Sequence, residues 1–236
     1  MKSAFLTLVS LQKCINKLLL RNRLHFLTPE KRSNYKTLFS TKNNHNMYNL
    51  LRKNIERKVP LTDEEWNSIV SRTELIKLKK NQFLQTQDSH NSYEGFILKG
   101  SFKTYILNEN GTESVIFFSF ENEWMCDLES FYHQKPTTYN IKAIEDSEIL
   151  VINKLQKAQL FAEIPKLMQF HVLMIERANV AIQQRLLDVL NKTSKQRYLD
   201  FKERYPQKVS SINNKNLSSY LGVSHEFLSK IKRTVS

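Results

Sequence analysis

The chain has 236 residues, 40% of them hydrophobic and 11% aromatic, enough for one large domain or two small ones with a buried core. Its formal charge is +13, and it holds only four glycines (Gly95, Gly100, Gly111, Gly222) and two cysteines (Cys14, Cys126). That excludes a dinucleotide fingerprint, a phosphate-cradling P-loop, a four-cysteine metal site and a disulfide scaffold, and no apolar run reaches the roughly 18 residues of a membrane span.

The charge sits at the two ends. Residues 1–46 hold nine Lys/Arg and one acidic residue, and residues 192–236 hold ten Lys/Arg and three acidic residues. The 145 residues between carry 17 basic and 19 acidic side chains. Basic ends on a nearly neutral body favour a polyanionic partner, nucleic acid before a membrane surface. A reducing, cytoplasmic setting fits the cysteine usage.

In chain order, residues 1–46 lack strand alternation and end in the polar stretch Thr41 to Asn46. They are read as a basic extension, poorly ordered or the product of a start codon assigned too early. The apolar stretch Ala4 to Leu11 has no small-residue cleavage site after it, so it is not read as a signal peptide. Tyr48, Leu51 and Ile55 then recur at helical spacing. Thr62 with Glu65 three residues later forms a capping box ahead of Trp66, Ile69 and Val70. From about Glu74 to Asn153 the period changes to two. Short strands are expected near Phe96–Leu98, Phe102–Leu107, Val115–Phe118, Thr138–Ala143 and Glu148–Ile152. Turns at Lys99-Gly100, Asn110-Gly111 and Glu145 to Ser147 separate them, the pattern of a sandwich or barrel.

Lys166 to Leu190 runs without Gly or Pro, with Pro165 suited to its first turn. Met168, Ile175, Ile182 and Val189 recur every seven residues, joined by Val172 and Leu186. A second set, Leu167, Phe170, Met174 and Ala181, lies beside them. One stripe is expected to cover the β domain and the other to meet a partner helix.

Asn214 to Ile231 reads as helix, tight turn, helix. Leu217 and Leu221 face inward, Ser218 is small at the crossing, and Val223 plugs the turn. Gly222 supplies a positive φ and Ser224 caps the second helix. Phe227 or Leu228, with Ile231, faces inward from that helix. The outward residues His225, Glu226, Ser229 and Lys230 suit base edges in a major groove, and Lys232 and Arg233 suit phosphates.

With the Phe96-Ile97-Leu98-Lys99-Gly100 turn, the Asn110-Gly111 hairpin, Asp127-Leu128-Glu129 and the Gly222-Val223-Ser224 turn, the chain resembles the Crp/Fnr transcriptional regulators over about residues 50 to 236. Within that family it looks like the short form common in Bacteroidetes-type bacteria. The resemblance implies an α+β chain: an antiparallel, jelly-roll-like β-roll, a long dimerisation helix and a small helix-turn-helix domain. The expected domains are a sensor over 47–161, the dimer helix over 162–191 and the DNA-binding unit over 192–236. The family usually follows the recognition helix with a β-hairpin wing, whereas here the sequence stops at Ser236. Double-stranded DNA, a second copy and RNA polymerase are the implied partners, with no membrane.

In cyclic-nucleotide-binding members the pocket carries Gly-Glu-Leu and, ten residues after the Glu, an Arg-Ser pair. Here Cys126-Asp127-Leu128 aligns with the first and Thr137-Thr138 with the second, so the effector pocket is placed at Asp127, Leu128, Glu129, Thr137 and Thr138. Asp127 keeps a carboxylate for a ribose hydroxyl, but Thr137 cannot neutralise a cyclic phosphate as a guanidinium does. Cyclic AMP and cyclic GMP are therefore not expected as ligands, nor any cofactor. Phe131, Tyr132 and Tyr139 are expected to fill the pocket as core. The cluster cysteines of the family's oxygen-sensing branch are missing, and Cys126 is read as structural. The six histidines show no metal-ligand spacing and no nucleophile elbow is present, so catalysis is not expected. The alternative reading is a ligand-binding or interaction module that no longer reads DNA.

Overall fold

The computed structural model describes residues 48–90 and 93–234. The expected extension over 1–46 lies outside them. Two short helices come first, α1 (Asn49–Glu56) and α2 (Asp63–Ser71). The capping box is formed: Thr62 Oγ1 accepts from the Glu65 amide at 3.2 Å, and Glu65 Oε2 accepts from the Thr62 amide at 2.8 Å. Leu51, Ile55, Trp66 and Ile69 are buried, as their helical spacing requires.

Eight strands follow among the described residues: β1 (Glu74–Leu78), β2 (Phe83–Gln85), β3 (Tyr93–Lys99), β4 (Ser101–Leu107), β5 (Glu113–Phe120), β6 (Trp124–Met125), β7 (Asn140–Ala143) and β8 (Ser147–Asn153). They make two four-stranded sheets, in the orders β1-β8-β3-β6 and β2-β7-β4-β5, and every strand pairing is antiparallel. The β2 and β6 strands are too short to show a period, and sequence reading passes over them. Gly100 links β3 to β4 at φ +90°, where a Cβ would run into Ser147.

The first sheet is covered on both faces, which explains why β3 and β8 read as apolar runs rather than alternating strands. Ile97, Ile149 and Val151 point between the sheets, where they meet Phe102, Met125, Ile141 and Ala143. Phe96, Leu98, Leu150 and Ile152 point the other way, against α1, α2 and two later helices, α4 (Lys154–Glu163) and α5 (Lys166–Asn191).

A short helix, α3 (Leu128–His133), stands between β6 and β7. Helix α5 is the longest element, 26 residues or about 39 Å. Leu167, Phe170 and Met174 turn to the first sheet and its helices. Met168, Val172, Ile182, Leu186 and Val189 stay exposed, while Ile175 is half-buried. Ala181, grouped by spacing with Leu167, Phe170 and Met174, is exposed.

Three helices end the described chain: α6 (Ser194–Arg204), α7 (Asn214–Leu221) and α8 (His225–Thr234). They pack onto the second sheet. Tyr198, Phe201, Ile212, Leu217, Leu221, Leu228 and Ile231 share a core with Tyr105, Val115, Phe118 and Phe120. Ser219 Oγ donates to the Glu113 carbonyl at 2.6 Å and accepts from the Val115 amide at 2.9 Å, which gives the β5 edge its missing partners. Arg185 of α5 lies 4.1 Å over the Tyr220 ring and donates to the Tyr220 carbonyl. At the same junction the nearly buried Lys103 pairs with Glu113 and donates to Asn216 Oδ1 at 3.1 Å.

Candidate functional site

The segment expected to hold an effector is β6–α3–β7. Asp127 caps α3, and its Oδ1 accepts from the Ser130 amide at 3.2 Å. Its Oδ2 accepts from the Thr137 hydroxyl and from Gln85 Nε2 at 3.3 Å. Thr137 Oγ1 in turn accepts from the Tyr139 amide at 3.0 Å. The Thr137 amide and carbonyl are tied to Ser89 and Asp88 at 2.8 Å each. Asp127 and Thr137 are thus brought together, buried, and satisfied by each other. The carboxylate matched to a ribose hydroxyl already accepts three protein hydrogen bonds.

Leu128, Glu129 and Thr138 are exposed. Lys135, the nearest substitute for the absent arginine, sits at the surface with its Nζ 3.8 Å from Glu129. Phe131 is wholly buried, as a core filler should be, whereas Tyr132 is 40% exposed. Burial pushes the Cys126 thiol up, so it stays protonated. Among the described residues no group of three or more His, Cys, Asp and Glu could hold a metal ion.

A second polar group lies on the opposite face of the first sheet. Glu94 of β3 and Lys157 of α4 form a buried ion pair, with side chains 3% and 8% exposed. Lys157 Nζ is 3.3 Å from His171 Nδ1 and 3.4 Å from the Tyr132 hydroxyl, which bonds His171 Nε2 at 2.9 Å. Burial and the Lys157 charge bring the His171 pKa down to about 4, so the imidazole is neutral at pH 7. Sequence reading missed this cluster. Its members sit on four elements, and none has a spacing that announces the others.

The α7–α8 turn follows the expected design. Gly222 closes α7 at φ 68°, and Ser224 Oγ accepts from the Phe227 amide at 3.2 Å. Leu228 and Ile231 are buried, so Phe227 is the one turned out, 48% exposed. It shares the open side of α8 with His225, Glu226, Lys230 and Arg233. Ser229 is half-buried, its hydroxyl donating to the His225 carbonyl at 3.0 Å. Glu226 is held below the usual carboxylate range by its own backbone amide and the Ser224 hydroxyl at the helix N-terminus. Lys232 is half-buried, 2.6 Å from Asn214 Oδ1, and burial lowers its pKa.

Residues 75–163 match the family model of the cyclic nucleotide-binding domain. The match covers the two sheets and ends with α4. No curated protein matches the chain in sequence. Among solved structures, the chain is similar to the c-di-GMP-responsive global regulator CLP of Xanthomonas campestris, with a TM-score of 0.60 at 9% identity over 74% of this chain and 91% of that one. It is similar to FixK2 of Bradyrhizobium japonicum, with a TM-score of 0.59 at 13% identity over 69% and 84%. It is also similar to a regulator assigned to the Crp/Fnr family from Eubacterium rectale, with a TM-score of 0.59 at 15% identity over 76% and 87%. At these identities the likeness is one of fold: a cyclic-nucleotide-binding-type β-roll followed by helices, shared with Crp/Fnr regulators. No helix among the described residues is long and apolar enough to cross a membrane.

Proposed function

We propose that the chain is a homodimeric, DNA-binding transcriptional regulator of the Crp/Fnr type whose pocket segment at Asp127–Thr138 does not take a cyclic nucleotide. One observation carries the reading. Helix α8 is anchored from behind by Leu228 and Ile231 and presents His225, Glu226, Lys230 and Arg233 to the outside, within the C-terminal stretch of ten basic and three acidic residues. A helix held this way behind a glycine-ended partner supports the reading of a helix-turn-helix, whose second helix fits the major groove. The similar fold of CLP and of the Eubacterium rectale regulator supports it.

Dimerisation rests on α5. Met168, Val172, Ile182, Leu186 and Val189 are exposed, and a second copy of the helix is the partner that buries them. A two-fold dimer then presents two α8 helices to half-sites about one DNA turn, roughly 34 Å, apart. His225 and Lys230 read bases, with Glu226 accepting from a cytosine amino group once it leaves the helix N-terminus. Arg233 grips phosphate. Lys232 does so only in exchange for its bond to Asn214. Ser224 and Ser229 hold the helix start and its first turn.

That no cyclic nucleotide binds follows from the closure of Asp127 on Thr137. Among the described residues the hydrogen-bond partners of Asp127 and Thr137 include no lysine or arginine, and leaving a cyclic phosphate there uncompensated is costly. Mobility shifts against fragmented genomic DNA test the regulator reading. Binding of a subset of fragments, competed by a palindrome and lost in Lys230→Ala with Arg233→Ala, is expected. Equal binding of all fragments, or none, refutes it in favour of a ligand-binding or interaction module.

A further inference from the structure

Positions of α5 follow one another at alternating steps of four and three: Met168, Val172, Ile175, Asn179, Ile182, Leu186 and Val189. This is the spacing of a coiled-coil seam, with Met168, Ile175, Ile182 and Val189 at d and Val172, Asn179 and Leu186 at a. The seam runs about 32 Å along the helix. Asn179, in its middle, is the one polar residue of this described stretch of seam. It is exposed, and among the described residues its side chain makes one long hydrogen bond, from Gln183 Nε2 to its Oδ1 at 3.5 Å. An amide inside an apolar stripe is costly to bury unless its donor and its acceptor are both met.

We infer that Asn179 pairs with the partner's Asn179 across the two-fold axis and thereby fixes the parallel, in-register alignment of the two copies. The inference rests on the dimer reading of α5 and names what sets its register. In a parallel pair without slip, position a of one helix faces position a of the other, so each Asn179 amide donates to the carbonyl oxygen of the other. A slip of one heptad sets Asn179 against the partner's Val172 or the partner's Leu186. The antiparallel alignment with full overlap sets it against the partner's Ile182, because a then faces d. Apolar contact alone does not exclude that alignment, which pairs Val172 with the partner's Val189 and Ile175 with the partner's Leu186. The buried amide does, since it is satisfied in the parallel, in-register pair and stranded in the other two.

Charges beside the seam usually choose the alignment. Here the flanking g positions are His171, Ala178 and Arg185. Arg185 is engaged within its own chain, 4.1 Å over the Tyr220 ring and donating to the Tyr220 carbonyl at 3.2 Å. His171 is neutral at pH 7 and bonds the Tyr132 hydroxyl at 2.9 Å. Glu176, the charged member of the e positions Gln169, Glu176, Gln183 and Leu190, faces the partner's His171 in the parallel alignment and gains no ion pair there. The choice therefore falls to Asn179.

The full chain is prepared with Asn179 and as Asn179→Leu, and in each background as Val172→Cys and as Val189→Cys. Asn179 is exposed in the protomer, so the substitution leaves the folded core alone. Sedimentation equilibrium gives the dissociation constant, and mild oxidation followed by mass spectrometry maps the cross-links. With Asn179 present, each cysteine variant should link to its own counterpart. An equal mixture of the two, allowed to exchange subunits, should give no link between positions 172 and 189. Asn179→Leu should dimerise at least about tenfold more tightly, because no amide is desolvated, and should add the 172–189 link of the antiparallel alignment. A 172–189 link with Asn179 present, an Asn179→Leu dimer no tighter than wild type, or the same links in both backgrounds each overturns the inference and leaves the dimer reading standing. A monomeric wild type removes the dimer reading, and the inference with it.

Discussion

Replacing Lys157 by Met should leave the buried Glu94 carboxylate with no charged partner at pH 7, where His171, 4.0 Å away, is neutral. The Glu94 side chain is 3% exposed, and burial already pushes its pKa up, with Lys157 pulling the other way. Removing one partner of such a pair costs about 3–5 kcal/mol, because the remaining charge is buried without compensation. Against the roughly 5–15 kcal/mol that hold a typical domain, this is a large fraction. The loss should depend on pH in a definite direction. Without Lys157 the folded-state pKa of Glu94 rises further above the unfolded value of about 4.3. A carboxyl with a raised folded pKa favours folding below the unfolded pKa and loses that contribution as pH climbs toward the folded one. Lys157→Met should therefore lose about 1.4 kcal/mol of stability per pH unit from about pH 5 upward, until the folded pKa is passed. Urea unfolding at pH 5, 6, 7 and 8 measures it, with wild type as reference at each pH. The double variant Glu94→Leu with Lys157→Met removes both charges and should return to within about 1.5 kcal/mol of wild type with no such slope. A Lys157→Met penalty below about 1 kcal/mol, or one equal at all four pH values, refutes the buried-pair reasoning, as does a double variant no better than the single.

Ile175→Asp with Ile182→Asp should convert a dimer to a monomer, because like charges would face each other across an apolar seam; sedimentation equilibrium at micromolar concentration decides it, and a monomeric wild type removes its basis. Thr137→Val deletes a donor to the buried Asp127 and should cost about 1–3 kcal/mol by urea unfolding, without creating cyclic AMP or cyclic GMP binding by calorimetry. In DNA binding, Arg233→Ala should weaken all sequences nearly equally and reduce the salt slope by about one charge per monomer. Glu226→Ala should instead relax preference at one base pair per half-site, at about 1–3 kcal/mol against the best sequence, and identical profiles for the two variants contradict the division between reading and gripping.

Local chemistry made much of this molecule legible. The Thr62–Glu65 capping box, the Gly100 and Gly111 turns, the Gly222-Val223-Ser224 corner and the inward Leu167, Phe170 and Met174 of α5 depend on backbone preferences and spacings of two to seven residues, which a sequence displays directly. Burial on both faces leaves apolar runs in β3 and β8 in place of the period of two expected from about Glu74 to Asn153. The choice between Phe227 and Leu228 was not legible, because either satisfies the helical period; the packing of α8 on its neighbours put Leu228 inside. Nor could spacing announce that Glu94 meets Lys157, 63 positions later, or that Ser219 completes the edge of β5. In sequence, a charged residue destined for a buried pair is identical to one destined for solvent. Only closure of the chain decides which other charge it faces, and with it whether Asp127 awaits a ligand or is satisfied by Thr137.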